Sequence, residues 1–340
     1  MTTNYRFILE KGSKKHYCPT CNKVRFVRYV DTEKGEYLPL PYGKCDRLVN
    51  CGADFNPYKD GYVKGMVKEN PSLMSFKPQP INQNKKSYYI PVEVLNETLS
   101  GYSINTFIQN LLFKVRYPFT KEDVEKVIAL YNLGTVQFGY RKQAITFPFI
   151  DVNNNIRAIQ VKEFNELNHT KGTDFLHSII EKQYLKSNKQ LPDWLEKYLT
   201  NDIKVSCLFG EHLLNRYKDN PVALVEAPKT VIYCNLYFGL PESPKDLLWL
   251  AVYNLSSLNL EKCKALKGRK VFLFPDLSKD GKAFELWSNK AKMIMNAMKG
   301  TIFKVSDLLE KNANDSDKEQ GKDLADYLIT QDWRLFRNKQ

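Results

Sequence analysis

The chain has 340 residues, 43% hydrophobic and 13% aromatic, which suits packed domains and excludes a wholly disordered chain. With 51 Lys and Arg against 38 Asp and Glu, the formal charge of +13 favours acidic partners, nucleic acid above all. The apolar stretch Leu247–Leu255 falls far short of the ~20 residues of a membrane span.

The opening MTTNYRFILEKGSKK has no apolar signal region, so the expected location is cytoplasmic, with no membrane partner. Seven cysteines are then not read as a disulfide framework. The charge is uneven: residues 1–86 hold 16 basic and 8 acidic side chains. The N-terminal quarter is thus the more electropositive part.

Four cysteines, Cys18, Cys21, Cys45 and Cys51, follow a C-x2-C then C-x5-C pattern. A C-x2-C knuckle brings two thiolates onto one tetrahedral ion from a tight turn. Val24–Val30 and Glu36–Leu38 read as short strands joined by a turn at Glu33-Lys34-Gly35. These features predict a zinc ribbon over residues 1–58. The second knuckle is wider than C-x2-C, and His16 is either a substitute ligand or a surface histidine. Arg25, Arg28, Tyr29 and Arg47 are candidate nucleic-acid contacts, since aromatic faces stack on bases while cations hold phosphates. The competing reading is that Phe26 and Tyr29 fill a very small core.

Residues 59–87, with Pro71, Pro78, Pro80 and the polar run Gln79–Lys86, read as a linker. A middle α+β region is expected over 88–207. Val92–Leu99 and Ser103–Phe113 have helical spacing, and Thr120 caps a third helix running through Val127 and Leu130. Ala144–Phe149, the turn Asp151–Asn155 and Ile156–Phe164 read as a hairpin.

From residue 208 to 340, strands alternate with helices. The strands are Val222–Val225, Leu248–Val252, Val271–Phe274 and Thr301–Val305. The helices are Lys229–Leu236, Leu258–Leu266, Ala283–Met298 and Leu324–Ile329. This alternation predicts a parallel, Rossmann-like sheet, and so a multi-domain α/β chain. Ligands of such sheets bind beyond the carboxyl ends of the strands. Glu226 and Asp276 fall at two such ends, Asp280 follows in D-L-S-K-D-G-K, and Asp323 and Asp326 follow the fourth strand. Converging carboxylates call for a hard cation, Mg²⁺ or Mn²⁺. The plain alternative is that these acids cap helices or stand in solvent, Asp326 above all.

V-A-L-V-E-A-P-K-T, F-L-F-P-D-L-S-K-D-G-K-A and G-K-D-L-A-D-Y-L, in this order, resemble the toprim domain of topoisomerases and bacterial-type primases. A zinc ribbon ahead of toprim is the primase order, and I-T-F-P-F-I-D-V-N-N-N-I-R-A-I-Q resembles the hairpin of the primase core. F-G-E-H-L-L, V-E-A-P-K-T and C-D-R-L-V-N-C-G further resemble primase-like, zinc-ribbon toprim proteins of bacterial mobile elements. The resemblance implies Glu226 as acid/base or metal-organising carboxylate and Asp276 as a magnesium ligand. It implies Asp323 as the late acid, Lys229 over the phosphates, and Arg141 and Lys142 as basic hairpin positions. Two departures stand out: Ser278 replaces the second Asp of D-x-D, and Tyr253-Asn254 replace a glycine after the second strand.

The expected function is a primase-like nucleotidyltransferase that makes primers on single-stranded DNA for replication or transfer of a mobile element. Nucleotides are its substrates, and the resemblance implies a replicative helicase as partner. The rivals are a toprim nuclease and a non-catalytic nucleic-acid-binding module.

Overall fold

The computed structural model describes residues 5–12, 14–47, 51–63, 87–201 and 204–337, in two units, 1–86 and 87–340. The N-terminal unit is an antiparallel ribbon. Its strands are β1 (Phe7–Leu9), β2 (His16–Tyr17), β3 (Val24–Asp31), β4 (Gly43–Cys45) and β5 (Asp54–Phe55), in the order β1-β3-β4-β5 with β2 also on β3. β3 is central because its two faces fill two small cores. Phe26 packs with Cys18, Cys45 and Ala53 on one side. Tyr29, three residues on and therefore on the other face, packs with Phe7 and Leu38. Gly43 is required where β4 crosses Phe26, because a Cβ there would collide with the ring.

The expected strand Glu36–Leu38 is reduced to a single bridge, Val30 to Tyr37. The unit also continues past residue 58. Tyr58 accepts the Phe7 N–H at 2.8 Å, and Tyr62 and Val63 pack on the Phe7 cluster. Of the expected linker, residues 64–86 lie outside the described residues.

The larger unit holds two four-stranded sheets. The antiparallel sheet runs β6 (Gly134–Thr135), β7 (Ile145–Ile150), β8 (Ile156–Phe164) and β9 (Thr170–Phe175) in that order. β7 and β8 form the expected hairpin, its turn built on Asp151, which accepts from the backbone N–H of Asn153 and Asn155. The parallel sheet contains β10 (Val222–Val225), β11 (Leu248–Ala251), β12 (Lys270–Phe274) and β13 (Ile302–Val305), in the order β11-β10-β12-β13. All three pairings are parallel. Strands β10 and β11 are buried at every position, as apolar runs in a covered parallel sheet should be.

The helices are α1 (Val92–Asn96), α2 (Thr106–Phe113), α3 (Lys121–Tyr131), α4 (Leu176–Lys186), α5 (Asp193–Leu199) and α6 (Pro228–Phe238). They continue with α7 (Leu260–Cys263), α8 (Lys282–Ala297), α9 (Leu308–Asn312), α10 (Asp315–Gln320), α11 (Leu324–Leu328) and α12 (Arg334–Arg337). Thr120 caps α3, accepting from the Asp123 N–H. The expected helix 103–113 is interrupted at Asn105, whose side chain accepts from Ile108 N and restarts the chain as α2. The expected helix 258–266 is only α7 followed by a 3₁₀ turn. No described helix is long and apolar enough to cross a membrane.

The stretches 88–207 and 208–340, expected as separate domains, share one core. A single cluster runs from Phe107 and Val127 through Phe147 and Phe209 to Leu224 and Trp287. Tyr131 of α3 donates to the Trp249 carbonyl of β11 at 2.8 Å and accepts from the Asn235 amide of α6 at 3.0 Å.

Glu211, in F-G-E-H-L-L, is a second tie. Its buried carboxylate accepts from Leu208 N at 2.9 Å and from Val152 N, in the hairpin turn, at 3.3 Å. Burial, with Asp151 nearby, raises its pKa to about 7, while the two N–H groups and Arg157 oppose the shift. A folded pKa above the unfolded value makes this contribution to stability full below about pH 4.5 and lost as pH rises through about 7. His177, held near pKa 4 by burial, acts in the opposite sense as pH falls below 6.5. The wild type should therefore lose stability relative to Glu211→Gln between pH 4.5 and 7, read as the difference between their urea midpoints across that range.

Candidate functional site

The four cysteine sulfurs of the ribbon lie within 4.8 Å of one another. Cys18 and Cys51 are 3.6 Å apart, and Cys21 and Cys45 are 4.0 Å apart. A tetrahedron with zinc–sulfur bonds of ~2.3 Å has edges of ~3.8 Å, between those two values. The wide C-x5-C knuckle thus still presents both thiols. Cys51 N donates to the Arg47 carbonyl at 2.7 Å. The residues fit Zn²⁺. His16 is not in the group; its ring meets Glu10 at 2.8 Å.

The ribbon's expected nucleic-acid contacts separate. Arg25 is exposed, and Arg47 is half-buried beside the cysteines. Arg28 is committed locally: it donates to the Leu38 carbonyl and lies 4.6 Å from the Tyr37 ring centre. Tyr29 is corrected to a core residue, since at 8% exposure it offers no open face to a base.

The acids lie at the carboxyl ends of the parallel strands. Glu226 directly follows β10, and its Oε1 faces the Asp276 N–H at 3.4 Å. Asp276 lies two residues beyond β12, and its Oδ1 is buried without a hydrogen-bond partner. Burial raises the Glu226 pKa to about 7, with the Asp276 N–H opposing the shift and Asp323 adding to it. Burial also lifts Asp276 well above the usual carboxylate range, with Glu226 and Asp323 adding to the shift and Lys229 opposing it. Two buried acids this close hold protons unless a cation replaces them.

Asp323 occupies a different role. It is the N-cap of α11, in a capping box with Asp326. Its Oδ1 accepts from Asp326 N at 2.9 Å, while its Oδ2 accepts from Thr230 Oγ1 at 2.9 Å and meets Lys229 Nζ at 3.2 Å. Both oxygens are occupied. Lys229, in the first turn of α6, also reaches Asp326 at 3.2 Å. Burial works against its charge, but the two carboxylates dominate and its pKa is raised. Asp326 is therefore an ion-paired cap rather than a solvated helix residue.

Asp280 is exposed and pairs with Lys282 at 3.6 Å, so it does not join the other acids. Ser278 is buried, and its Oγ accepts from Ala283 N at 2.7 Å, ordering the start of α8. Tyr253, at the position where the resemblance led us to expect glycine, has φ +105° and donates its N–H to the Glu226 carbonyl at 3.0 Å. Such a backbone costs about 1–3 kcal/mol in a non-glycine residue. Among the described residues, only the four cysteines form a group of three or more ligands close enough for one ion.

Two contributors had no site role assigned from the sequence. Thr230 orients Asp323, one turn into α6. Lys162 of β8 is half-buried, and its pKa falls to about 8, first by desolvation and then by the Lys229 charge, against the pull of Asp323 and Asp276. The antiparallel sheet thus lends a cation to the acids of the parallel sheet. The signal was a lysine in the second strand of the expected hairpin, beside the buried Val161. Arg141 instead binds Glu163 and Asp174, its guanidinium against Gly172 where a Cβ would clash. Its donors are directed within its own sheet, and Lys142 remains exposed.

A zinc beta-ribbon finger family matches residues 5–65. The family described as Domain of unknown function (DUF6371) matches residues 105–277, just over half of the chain. The chain belongs to this DUF6371 family. No curated protein matches it. Among solved structures, it is similar to the primase fragment of the bacteriophage T7 primase-helicase, with 12% identity, TM-score 0.34, and coverage of 86% of this chain and 89% of that one. It is similar to the zinc-binding and RNA polymerase domains of Aquifex aeolicus primase, with 13% identity, TM-score 0.35, and coverage of 95% and 80%. It is also similar to the RNA polymerase domain of Mycobacterium tuberculosis primase, with 10% identity, TM-score 0.41, and coverage of 73% and 80%.

Two outcomes follow for this DUF6371 protein. It should bind one zinc per chain, and Cys18→Ser or Cys45→Ser should abolish that, with chelation unfolding the ribbon; metal analysis and proteolysis of residues 1–63 read both. Lys229→Met should cost about 3–5 kcal/mol in denaturant unfolding, because it leaves Asp323 buried and uncompensated.

Proposed function

We propose that this chain is a primase-like nucleotidyltransferase, a zinc-ribbon protein with a toprim site that synthesises short primers on single-stranded DNA. The observation that carries the reading is the Glu226–Asp276 pair at the ends of two adjacent parallel strands. One carboxylate oxygen there is buried and unpartnered, and two lysines, Lys162 and Lys229, act electrostatically on Asp276. Glu226 and Asp276 would hold Mg²⁺ or Mn²⁺, which when bound neutralises phosphate charge and favours ionisation of an attacking hydroxyl. Asp323 serves instead to orient Lys229, and Asp280 has no part in this arrangement. Lys162 is suited to an incoming triphosphate, because a phosphate would offset the burial that now weakens its charge. The reaction joins a 3′ hydroxyl to the α-phosphate of a nucleotide and releases pyrophosphate. Arg25 and Arg47 of the ribbon, with Lys142, would meet the template. Single-stranded DNA, nucleotides and a replicative helicase are the partners this reading implies.

The pairing of Asp323 with Lys229, and of Ser278 with the α8 backbone, favours a second reading: a nucleic-acid-binding module whose acids no longer support chemistry. Labelled-nucleotide incorporation on single-stranded DNA with Mg²⁺ or Mn²⁺ separates the two. We expect incorporation by the wild type and a loss of at least about 100-fold in Glu226→Gln and Asp276→Asn, in line with the several kcal/mol expected of metal stabilisation at phosphate. Intact strand binding without incorporation would establish the binding module. Shortening of labelled template would establish a nuclease.

A further inference from the structure

The basic charge of the larger unit is concentrated in one segment. Residues 262–306 carry 11 Lys and Arg against 3 Asp and Glu, although the whole 340-residue chain has a net charge of only +13. The segment contains β12 and β13, at one edge of the parallel sheet.

The two faces of that edge differ. β13 alternates: Phe303 is buried, whereas Ile302 is 51% exposed and Lys304 is exposed. The register places Lys270 beside Ile302 and Phe272 beside Lys304, so these four side chains share one face. Further across the same face, Phe272 and Trp249 each flank Ala223 of β10. There α6 provides cover: Phe238 stacks on Trp249 at 5.8 Å, and Trp249 meets Phe274 at 5.3 Å. The cover stops short of β13. Lys270 and Ile302 are exposed, and Phe272 is half-buried with the Lys270 ammonium 5.2 Å from its ring centre. Lys267 and Lys299 are exposed just before β12 and β13. None of Lys267, Lys270, Lys299 and Lys304 forms an ion pair among the described residues, whereas Lys121, Lys126 and Lys311 on nearby or distant helices each pair with an acid.

We infer that the open face of β12 and β13, formed by Lys270, Phe272, Ile302 and Lys304, is a docking surface for single-stranded nucleic acid. A ring on a sheet flanked by unpaired lysines is what an unpaired strand requires: the base stacks on the ring and adjacent phosphates take the cations. Lys270 is a flexible cover for Phe272, and a base can displace it towards its own phosphate. Charge complementarity selects this occupant, because a neutral protein face would bury two uncompensated ammonium groups. The surface lies at the sheet's edge, away from the acids at the strand ends, and would track strand already outside the catalytic site. The inference rests on the proposed action on single-stranded nucleic acid.

The test is fluorescence anisotropy of a labelled oligothymidylate with the full chain, across a salt series and alongside primer synthesis. Lys270→Gln with Lys304→Gln should weaken binding about ten-fold and lower the salt slope by about 1.4, for two phosphates at ~0.7 each. Phe272→Leu, which keeps an apolar side chain but removes the π-face, should weaken binding about ten-fold with little change in salt slope. Lys186→Gln with Lys189→Gln removes the same charge from another exposed segment and should change little. Unchanged binding in both surface variants, or an equal loss in the control pair, overturns the surface while leaving primer synthesis to be judged on its own. Wild type that binds no single strand overturns both readings. Surface-dependent binding without incorporation leaves the surface standing and overturns the primase.

Discussion

The Lys229 ammonium is the contact on which the acid-rich end of the parallel sheet depends. Glu226, Asp276, Asp323 and Asp326 meet there, and four carboxylates in a largely buried space repel strongly. Lys229 binds two of them and divides the group. Asp323 and Asp326 become a structural pair, closing the α11 capping box with charge balanced nearby. Glu226 and Asp276 remain without such a partner, with raised pKa values and a buried, unpartnered oxygen. Two unpaired acids can persist together in a folded protein because their neighbours are neutralised first. The backbone supports the same division: Leu277 N donates to the Lys322 carbonyl at 2.9 Å, fixing the loop after β12 to the residue before Asp323.

The site also explains why the two sheets share one core. Lys162 comes from the antiparallel sheet and the acids from the parallel one, so their spacing is only as fixed as the packing between the sheets. That packing is unusually polar at its ties. Tyr131 donates to the Trp249 carbonyl and accepts from the Asn235 amide, and Glu211 accepts from Val152 N. Such ties specify one arrangement more narrowly than apolar contact does, because displacing either sheet leaves a buried polar group unpaired.

The main strands were legible in sequence because their signals were local. β10, β11 and β12 are unbroken apolar runs, the β7–β8 hairpin is flagged by D-V-N-N-N, and α3 by its capping threonine. What escaped were elements whose identity depends on partners. β9, T-K-G-T-D-F, is polar and is a strand only because β8 offers a free edge and Gly172 lets Arg141 lie against it. The cysteine cluster was readable from spacing alone. The acids were readable as a set placed at strand ends, but their division was not. Nothing in G-K-D-L-A-D-Y-L announces that Asp323 faces Thr230 and Lys229, because that pairing spans more than 90 residues. Tyr29 was ambiguous for a simpler reason: its alternation placed it on a face, but not on an open one.

Ser278 can now be understood physically. An aspartate there would add a further carboxylate beside Asp276, raising the electrostatic cost of ionising the pair. Serine adds no charge, and its hydroxyl accepts the Ala283 N–H that begins α8. Serine keeps the hydrogen bond to the helix backbone and reduces the number of acids that a cation would have to satisfy. A divalent ion at Glu226 and Asp276 would then meet two carboxylates and complete its shell with water and phosphate oxygens, the usual coordination of Mg²⁺ in phosphoryl-transfer sites. On the proposed reading, the same reduction would move the burden of holding a triphosphate onto Lys162, because a site with fewer acids would bind a metal less tightly and rely more on fixed cations. On that reading the half-buried lysine and Ser278 would be two sides of one electrostatic balance, since each limits the negative charge that the site must carry unpaired.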